Sequence, residues 1–175
     1  MKKFVMMMIV ALVAISASAA SIDWGFTGIT TSAKRIKDSA GNDFTGSVYL
    51  ILASDATLLD DSSATAFETS LAAISLGSQS VSGGRISSSA TATSDKLANT
   101  TTDYTFNVVV FDGTGYYLSA DMTNKAYTDP TSPTAITFGY EQIGATYTKN
   151  NSVAFTKVPE PASAMLALAG VAMLI

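Results

Sequence analysis

The chain has 175 residues, of which 10 are Lys or Arg and 14 are Asp or Glu, and it contains neither cysteine nor histidine. Lacking cysteine, it has no disulfide framework and no thiolate metal site; lacking histidine, it has no Ser-His-Asp or Cys-His centre and none of the usual zinc hydrolase sites. The net charge of −4 is spread without long cationic runs, so counterion release gives no affinity for nucleic acid, and none is expected as a partner.

The chain opens MKKFVMMMIVALVAISASAA. Lys2 and Lys3 precede an uninterrupted apolar run from Phe4 to Ile15, and small residues follow, including Ala17-Ser18-Ala19. These are the three parts of a secretory signal peptide, and the run is shorter than the ~20 residues of a spanning helix. Residues 1–20 are therefore expected to engage the secretion translocase. Signal peptidase would cut in the region of Ala17, Ala19 and Ala20, after Ala19 or Ala20, leaving a β domain over 21–157.

Trp24 and Phe26 on period two mark the first strand. The stretch AKRIKD holds Lys34, Arg35 and Lys37, followed at once by Asp38, and reads as a solvated loop. SVYLILAS, Ser47 to Ser54, is a continuous apolar run, which predicts a central strand covered on both faces. After it, Asp61 or Ser62 is placed to cap a helix over SSATAFETSLAAI, with Phe67, Leu71 and Ile74 on one face.

From Gly77 to Thr102 Ser and Thr dominate, and only Val81, Ile86 and Leu97 are large and apolar; a long loop with one or two edge strands is expected. YTFNVVVF puts Tyr104, Phe106, Val108 and Val110 on one face, and Asp112-Gly113 then turns the chain into YYLSA, so Tyr104 to Ala120 is predicted to be a hairpin. DPTSP, Asp129 to Pro133, is a loop. Ile136, Phe138 and Tyr140 mark another strand, and Lys149-Asn150-Asn151 is predicted to turn a second hairpin between IGATYT and SVAFTKV. Together these segments predict an all-β, antiparallel β-sandwich or jelly-roll-like domain with one short helix.

The ending differs in kind. Pro159 and Pro161 hold Glu160 in extended chain, and Pro161 is suited to the first position of a helix. From Ala162 to Ile175 no residue is charged and Ser163 alone interrupts the apolar and small side chains. A helix that is hydrophobic all round belongs in lipid or in a large core. Fourteen residues reach about 21 Å, short of the ~30 Å hydrocarbon layer.

Val158-Pro159-Glu160-Pro161 and the apolar run behind it resemble the PEP-CTERM sorting signal of exported proteins of Gram-negative bacteria. The resemblance covers residues 158–175 and implies a C-terminal transmembrane helix, processing by exosortase, and association with bacteria that make extracellular polysaccharide. The Arg-rich tail of the family is absent, and the native reading frame is expected to continue past Ile175 with further apolar and basic residues. A GPI-anchor signal fits less well, since the polar spacer before the hydrophobic tail is missing.

Candidate chemistry within the interior is sparse. Asp55, Asp60 and Asp61 lie close in sequence, but their spacing matches no calcium loop, and Asp61 reads as a helix cap. Glu68 and Glu141 read as surface charges. Trp24, Tyr116 and Tyr117 offer an aromatic platform for a sugar, although adjacent tyrosines in a strand point to opposite faces and at most one is expected in the core. Gly83-Gly84 reads as a turn, and Asn99 and Asn150 fit the N-glycosylation acceptor pattern, which a bacterial origin makes coincidental. No catalytic, cofactor-binding or metal-binding residue is assigned. The expected function is that of an exported, non-enzymatic surface or extracellular-matrix protein, transiently membrane-anchored and processed at the PEP motif. The alternatives are a carbohydrate-binding module in a polysaccharide matrix and a carboxylate-only glycosidase, which needs two acids ~5–10 Å apart.

Overall fold

The computed structural model describes residues 19–26, 35–86, 89–138 and 156–157. Its strands there are β1 (Ala20–Phe26), β2 (Gly46–Leu52), β3 (Gly77–Val81), β4 (Ala90–Ser94), β5 (Asp103–Phe111), β6 (Gly115–Leu118), β7 (Met122–Lys125), β8 (Ala135–Phe138) and β9 (Thr156–Lys157), with the α-helix α1 at Ala64–Ile74. They form two sheets: a smaller one in the order β4-β1-β8, and a larger one in the order β3-β2-β5-β6-β9 with β7 beside the first half of β5. All the pairings are antiparallel except β1 with β8. The chain is thus all-β with one α-helix and two short 3-10 helices, Ala53–Leu58 and Asp95–Leu97, among the described residues.

The continuous apolar run becomes β2, flanked by β3 and β5. Side chains alternate across a strand, so Val48, Leu50 and Leu52 enter the core shared with Ile22 and Trp24 of the other sheet. Tyr49 and Ile51 face the opposite way, onto α1. β5 does the same, with Phe106, Val108 and Val110 inside and Val109 and Phe111 beneath the helix. A strand buried on both faces has no need of a polar side, which is why neither strand alternates cleanly in sequence.

Phe67, Leu71 and Ile74 are the buried residues of α1, as their spacing predicts. Phe67 stacks on Tyr116 at 4.4 Å between ring centroids and lies 4.8 Å from Phe111. The cap differs from the expectation. Ser63, not Asp61 or Ser62, accepts from the Ala66 N–H at 3.1 Å. Asp60 instead takes the Ser62 N–H at 3.0 Å, closing a turn before the helix starts, so the cap falls to the next hydroxyl in line.

Where a long loop with one or two edge strands is expected between Gly77 and Thr102, two strands are present. β3 borders the larger sheet and β4 the smaller, and Leu97 is fully buried. Between them Gly83 and Gly84, with φ of 55° and 72°, form a tight turn closed by the Ser82 N–H on the Arg85 carbonyl at 3.0 Å.

The AKRIKD stretch is not simply solvated. Ile36 is 1% exposed, and its N–H donates to the Gly84 carbonyl at 3.0 Å while the Gly84 N–H donates to Phe44 at 2.7 Å. Arg35 and Lys37 both bind the Asp43 carboxylate, which holds that carboxyl below its ordinary value, Lys37 contributing most and Arg35 next. The charges in sequence concealed a buried isoleucine between two cations that share one anion.

The predicted hairpin is formed by β5 and β6 around Asp112-Gly113, with Val110 opposite Tyr117 and Phe111 opposite Tyr116. Beyond Leu118 the chain breaks from the ladder before resuming as β7. Side chains fill the break: the buried Asn107 donates through Nδ2 to the Ser119 carbonyl at 3.0 Å and to Asp121 Oδ1 at 2.7 Å, and Ser119 Oγ accepts from the Val108 N–H at 2.8 Å. Buried polar groups need such partners.

DPTSP is a loop, and Ile136 and Phe138 are buried in β8 as predicted. Tyr140 and the turn of the second predicted hairpin lie outside the described residues. Within that hairpin's second arm, Thr156 and Lys157 form β9, opposite Tyr116 and Gly115 of β6.

Candidate functional site

A cavity of about 340 Å³ lies beside β1 and β8, with Asp23, Trp24, Phe26, Ile86, Ser89 and Thr137 in its walls. Alternation along β1 sends the Asp23 side chain to one face of the smaller sheet and Trp24, with Phe26, to the inter-sheet core on the other. Asp23 Oδ1 accepts from Thr91 Oγ1 at 2.7 Å and from the Tyr127 hydroxyl at 2.9 Å. Tyr127 is itself fixed by mutual backbone hydrogen bonds with Ser21 at 2.7 and 2.8 Å. Desolvation, and then the Asp23 hydrogen bond and charge, push the Tyr127 hydroxyl above its ordinary value. It therefore stays a donor at neutral pH.

Trp24 is 1% exposed. Its carbonyl accepts from Gln79 Nε2 at 2.9 Å, tying the smaller sheet to β3 of the larger. Trp24 Nε1 and Gln79 Oε1 are buried and have no hydrogen-bond partner among the described residues. Trp24, Tyr116 and Tyr117 do not assemble the expected platform: Trp24 lies in the inter-sheet core, Tyr117 packs on that core from β6, and Tyr116 lies on the other side against Phe67. Both tyrosines are thus partly buried, because the helix covers the face that would otherwise meet solvent.

A second depression, about 510 Å³, brings together Asp103, Asp121, Ser54 and Tyr104. Each carboxylate is already engaged, Asp103 by Lys125 Nζ at 2.9 Å and Asp121 by Asn107. The three aspartates singled out for calcium are separated in role: Asp55 pairs with Lys96 at 2.6 Å, Asp60 holds the Ser62 N–H, and Asp61 is exposed. Among the described residues no group of three or more carboxylates is placed to hold a metal. Glu68 is exposed on α1 as expected, and Glu141 lies outside the described residues.

Asp43, Asp60, Asp112 and Asp129 all titrate below their ordinary value. That direction is opposite to the one a carboxylic acid needs for general acid catalysis. Asp60 and Asp129 owe it to hydrogen bonds from Ser62 and Thr131 in local turns.

Of the sorting and cleavage residues, Ala17, Val158, Pro159, Glu160 and Pro161 lie outside the described residues. Ala19 is the first described residue, and Ala20 begins β1, fully buried and opposite Ser94. Among the described residues no helix is long and apolar enough to cross a membrane, and the expected C-terminal helix lies outside them. Asp23 escaped the sequence reading, since nothing local distinguishes it from the other aspartates. No protein-family model, curated protein or solved structure matches the chain.

Proposed function

We propose that the chain is an exported, non-enzymatic protein of the cell surface or extracellular matrix of a Gram-negative-type bacterium. Its two facing sheets serve as a β-sandwich, jelly-roll-like in kind, and its C-terminal segment is a sorting signal processed by exosortase. The observation that carries this reading is the order of segments: a cationic, apolar and small-residue opening, a polar interior, then Val158-Pro159-Glu160-Pro161 directly before a run without charge. A uniformly apolar helix is at ease in a bilayer, and the prolines keep the glutamate accessible just outside it.

Two features of the fold accord with this reading. Strand β9 ends at Lys157, one residue before Val158, so the motif follows directly on the sheet, with no spacer. Ala20 is part of β1, so cleavage after Ala19 keeps the whole strand.

Mass spectrometry of the mature protein from its native host tests both ends at once. The expected species begins at Ala20 or Ser21 and ends near Pro159-Glu160-Pro161, and Glu160→Ala leaves the tail attached. A mature protein that retains residues 158–175 in a host with active exosortase sinks the sorting role.

A further inference from the structure

We infer that, once the signal peptide is removed, the β5–β6 turn and the 38–42 loop form the pole of the domain that rests on phospholipid headgroups. The inference rests on the proposed anchoring of the apolar run 162–175 in lipid, and it adds which surface that anchoring brings to the bilayer. Lys157 lies opposite Gly115, the first residue of β6, and Thr156 lies opposite Tyr116. The pairing is antiparallel, so the chain leaves the larger sheet beside the Asp112-Gly113 turn. Ser39 is bonded to Asp112, and its Oγ shares a hydrogen bond with Thr114 Oγ1 at 2.9 Å. The 38–42 loop therefore sits at the same pole.

The N-terminal end of the domain lies at the opposite pole. Ala20 is opposite Ser94, and Ser21 exchanges backbone hydrogen bonds with Tyr127, two residues past Lys125, which pairs with Asp103 at the start of β5. Lys96, two residues past Ser94, reaches Asp55 just beyond the end of β2. β5 runs from that pole to the turn, and its nine residues span about 27 Å. Residues 1–20 and 158–175 thus leave the domain from opposite poles. With the opening segment cut away, the turn pole is the one tied to the membrane.

The tether is short. Residues 158–161 stand between Lys157 and the apolar run, and even fully extended they reach at most about 14 Å. The headgroup layer takes up about 5–8 Å of that, and what is left is narrower than the ~10 Å of a packed sheet layer. No further layer of protein fits between the pole and the lipid. The exposed side chains there, Ser39, Ala40, Asn42 and Thr114, are short and uncharged. They can touch headgroups, but they lack the apolar face that insertion requires. Arg35 and Lys37, bound to Asp43 in the same loop, offset part of the repulsion that Asp38 and Asp112 exert on lipid phosphates.

The chain has no cysteine, so an introduced thiol carries a dye to one place. The protein exported by a host without exosortase, its signal peptide removed and its tail intact, is labelled with an environment-sensitive fluorophore in single variants. Ala40→Cys and Asn42→Cys report on the turn pole, Ala98→Cys and Thr102→Cys on the opposite pole, and Leu168→Cys on the apolar run. The four domain positions are exposed, and a pair at each pole keeps the comparison if one variant misfolds. Each is mixed with phosphatidylcholine vesicles that carry a nitroxide quencher on the headgroup. The dye at 168 is expected to shift to the blue. With the poles about 27 Å apart, quenching at 40 and 42 should be at least about twice that at 98 and 102. A blue shift at 168 with equal or greater quenching at 98 and 102, or with none at 40 and 42, overturns the inference and leaves the anchoring intact. A dye at 168 that stays in water overturns the anchoring and the inference together.

Discussion

Ser39 and Asp112, 73 residues apart, are joined twice: the Ser39 N–H donates to Asp112 Oδ2 at 2.7 Å, and the Ser39 hydroxyl donates to the same oxygen. The other oxygen, Oδ1, accepts from the Thr114 and Gly115 N–H groups at 2.9 and 2.8 Å. One carboxylate thereby closes the β5–β6 turn and pins the 35–44 loop to it. Burial pushes this carboxyl up, but the Ser39 hydroxyl and the surrounding amides outweigh burial and lower it from 3.8 to about 2.

Because the folded-state value is depressed, the stabilisation from Asp112 is fully present above the ordinary carboxylate range and is lost as pH falls from about 4 through about 2. Asp112→Ala should cost roughly 1–2 kcal/mol at pH 7, the upper figure already reduced for solvent screening of a partly exposed group. Urea unfolding of parent and variant between pH 7 and pH 2 should show the difference shrinking over that acid window. A constant difference across it excludes this account.

Ser63, as the residue that caps α1, is expected to matter where its neighbours do not. Ser63→Ala should destabilise by about 1 kcal/mol, whereas Asp61→Ala and Ser62→Ala should stay within about 0.5 kcal/mol. Denaturant midpoints of the three variants compare them directly. Equal losses at Asp61 and Ser63 are incompatible with the cap placement.

Gly83 and Gly84 make a matched pair, since both have positive φ. A Cβ at Gly83 meets nothing within 4 Å, whereas one at Gly84 comes within 2.6 Å of Arg35 Cβ and the Ile36 carbonyl oxygen. Gly83→Ala should cost about 1–2 kcal/mol for backbone strain alone, and Gly84→Ala about 3 kcal/mol or more once the overlap is added. Thermal unfolding of the two variants checks the order, and the reverse order contradicts the packing of Ile36 beneath this turn.

Tyr127 is the alkaline counterpart of Asp112. Its hydroxyl titrates above the ordinary value of 10.0, so the stabilisation of its neutral form is intact below pH 10 and disappears as pH rises through the raised value. Tyr127→Phe should flatten the stability profile above about pH 10 and leave its acid limb unchanged. A profile identical to the parent at high pH argues against the Asp23 contact.

The order of segments along the chain settled a good deal before any folding was considered. The apolar run at Ser47–Ser54 required a strand covered on both faces, the spacing of Phe67, Leu71 and Ile74 required one buried helical face, and Asp112-Gly113 required a turn. These are local rules of period and backbone sterics, and they act within a dozen residues. The sorting resemblance is local in the same way, since it rests on one contiguous stretch, residues 158–175.

Folding decided whatever depends on residues far apart in sequence meeting in space. Only the placement of α1 over β5 and β6 gives Tyr116 a covered face, and only the crossing of the 35–44 loop with the Gly83-Gly84 turn buries Ile36. Asp23 becomes a fixed acceptor because Thr91 and Tyr127 arrive from opposite neighbours of β1. An isolated aspartate in a strand carries no mark of the partners that will hold it, since those partners are set by sheet order and register, which a single strand does not encode.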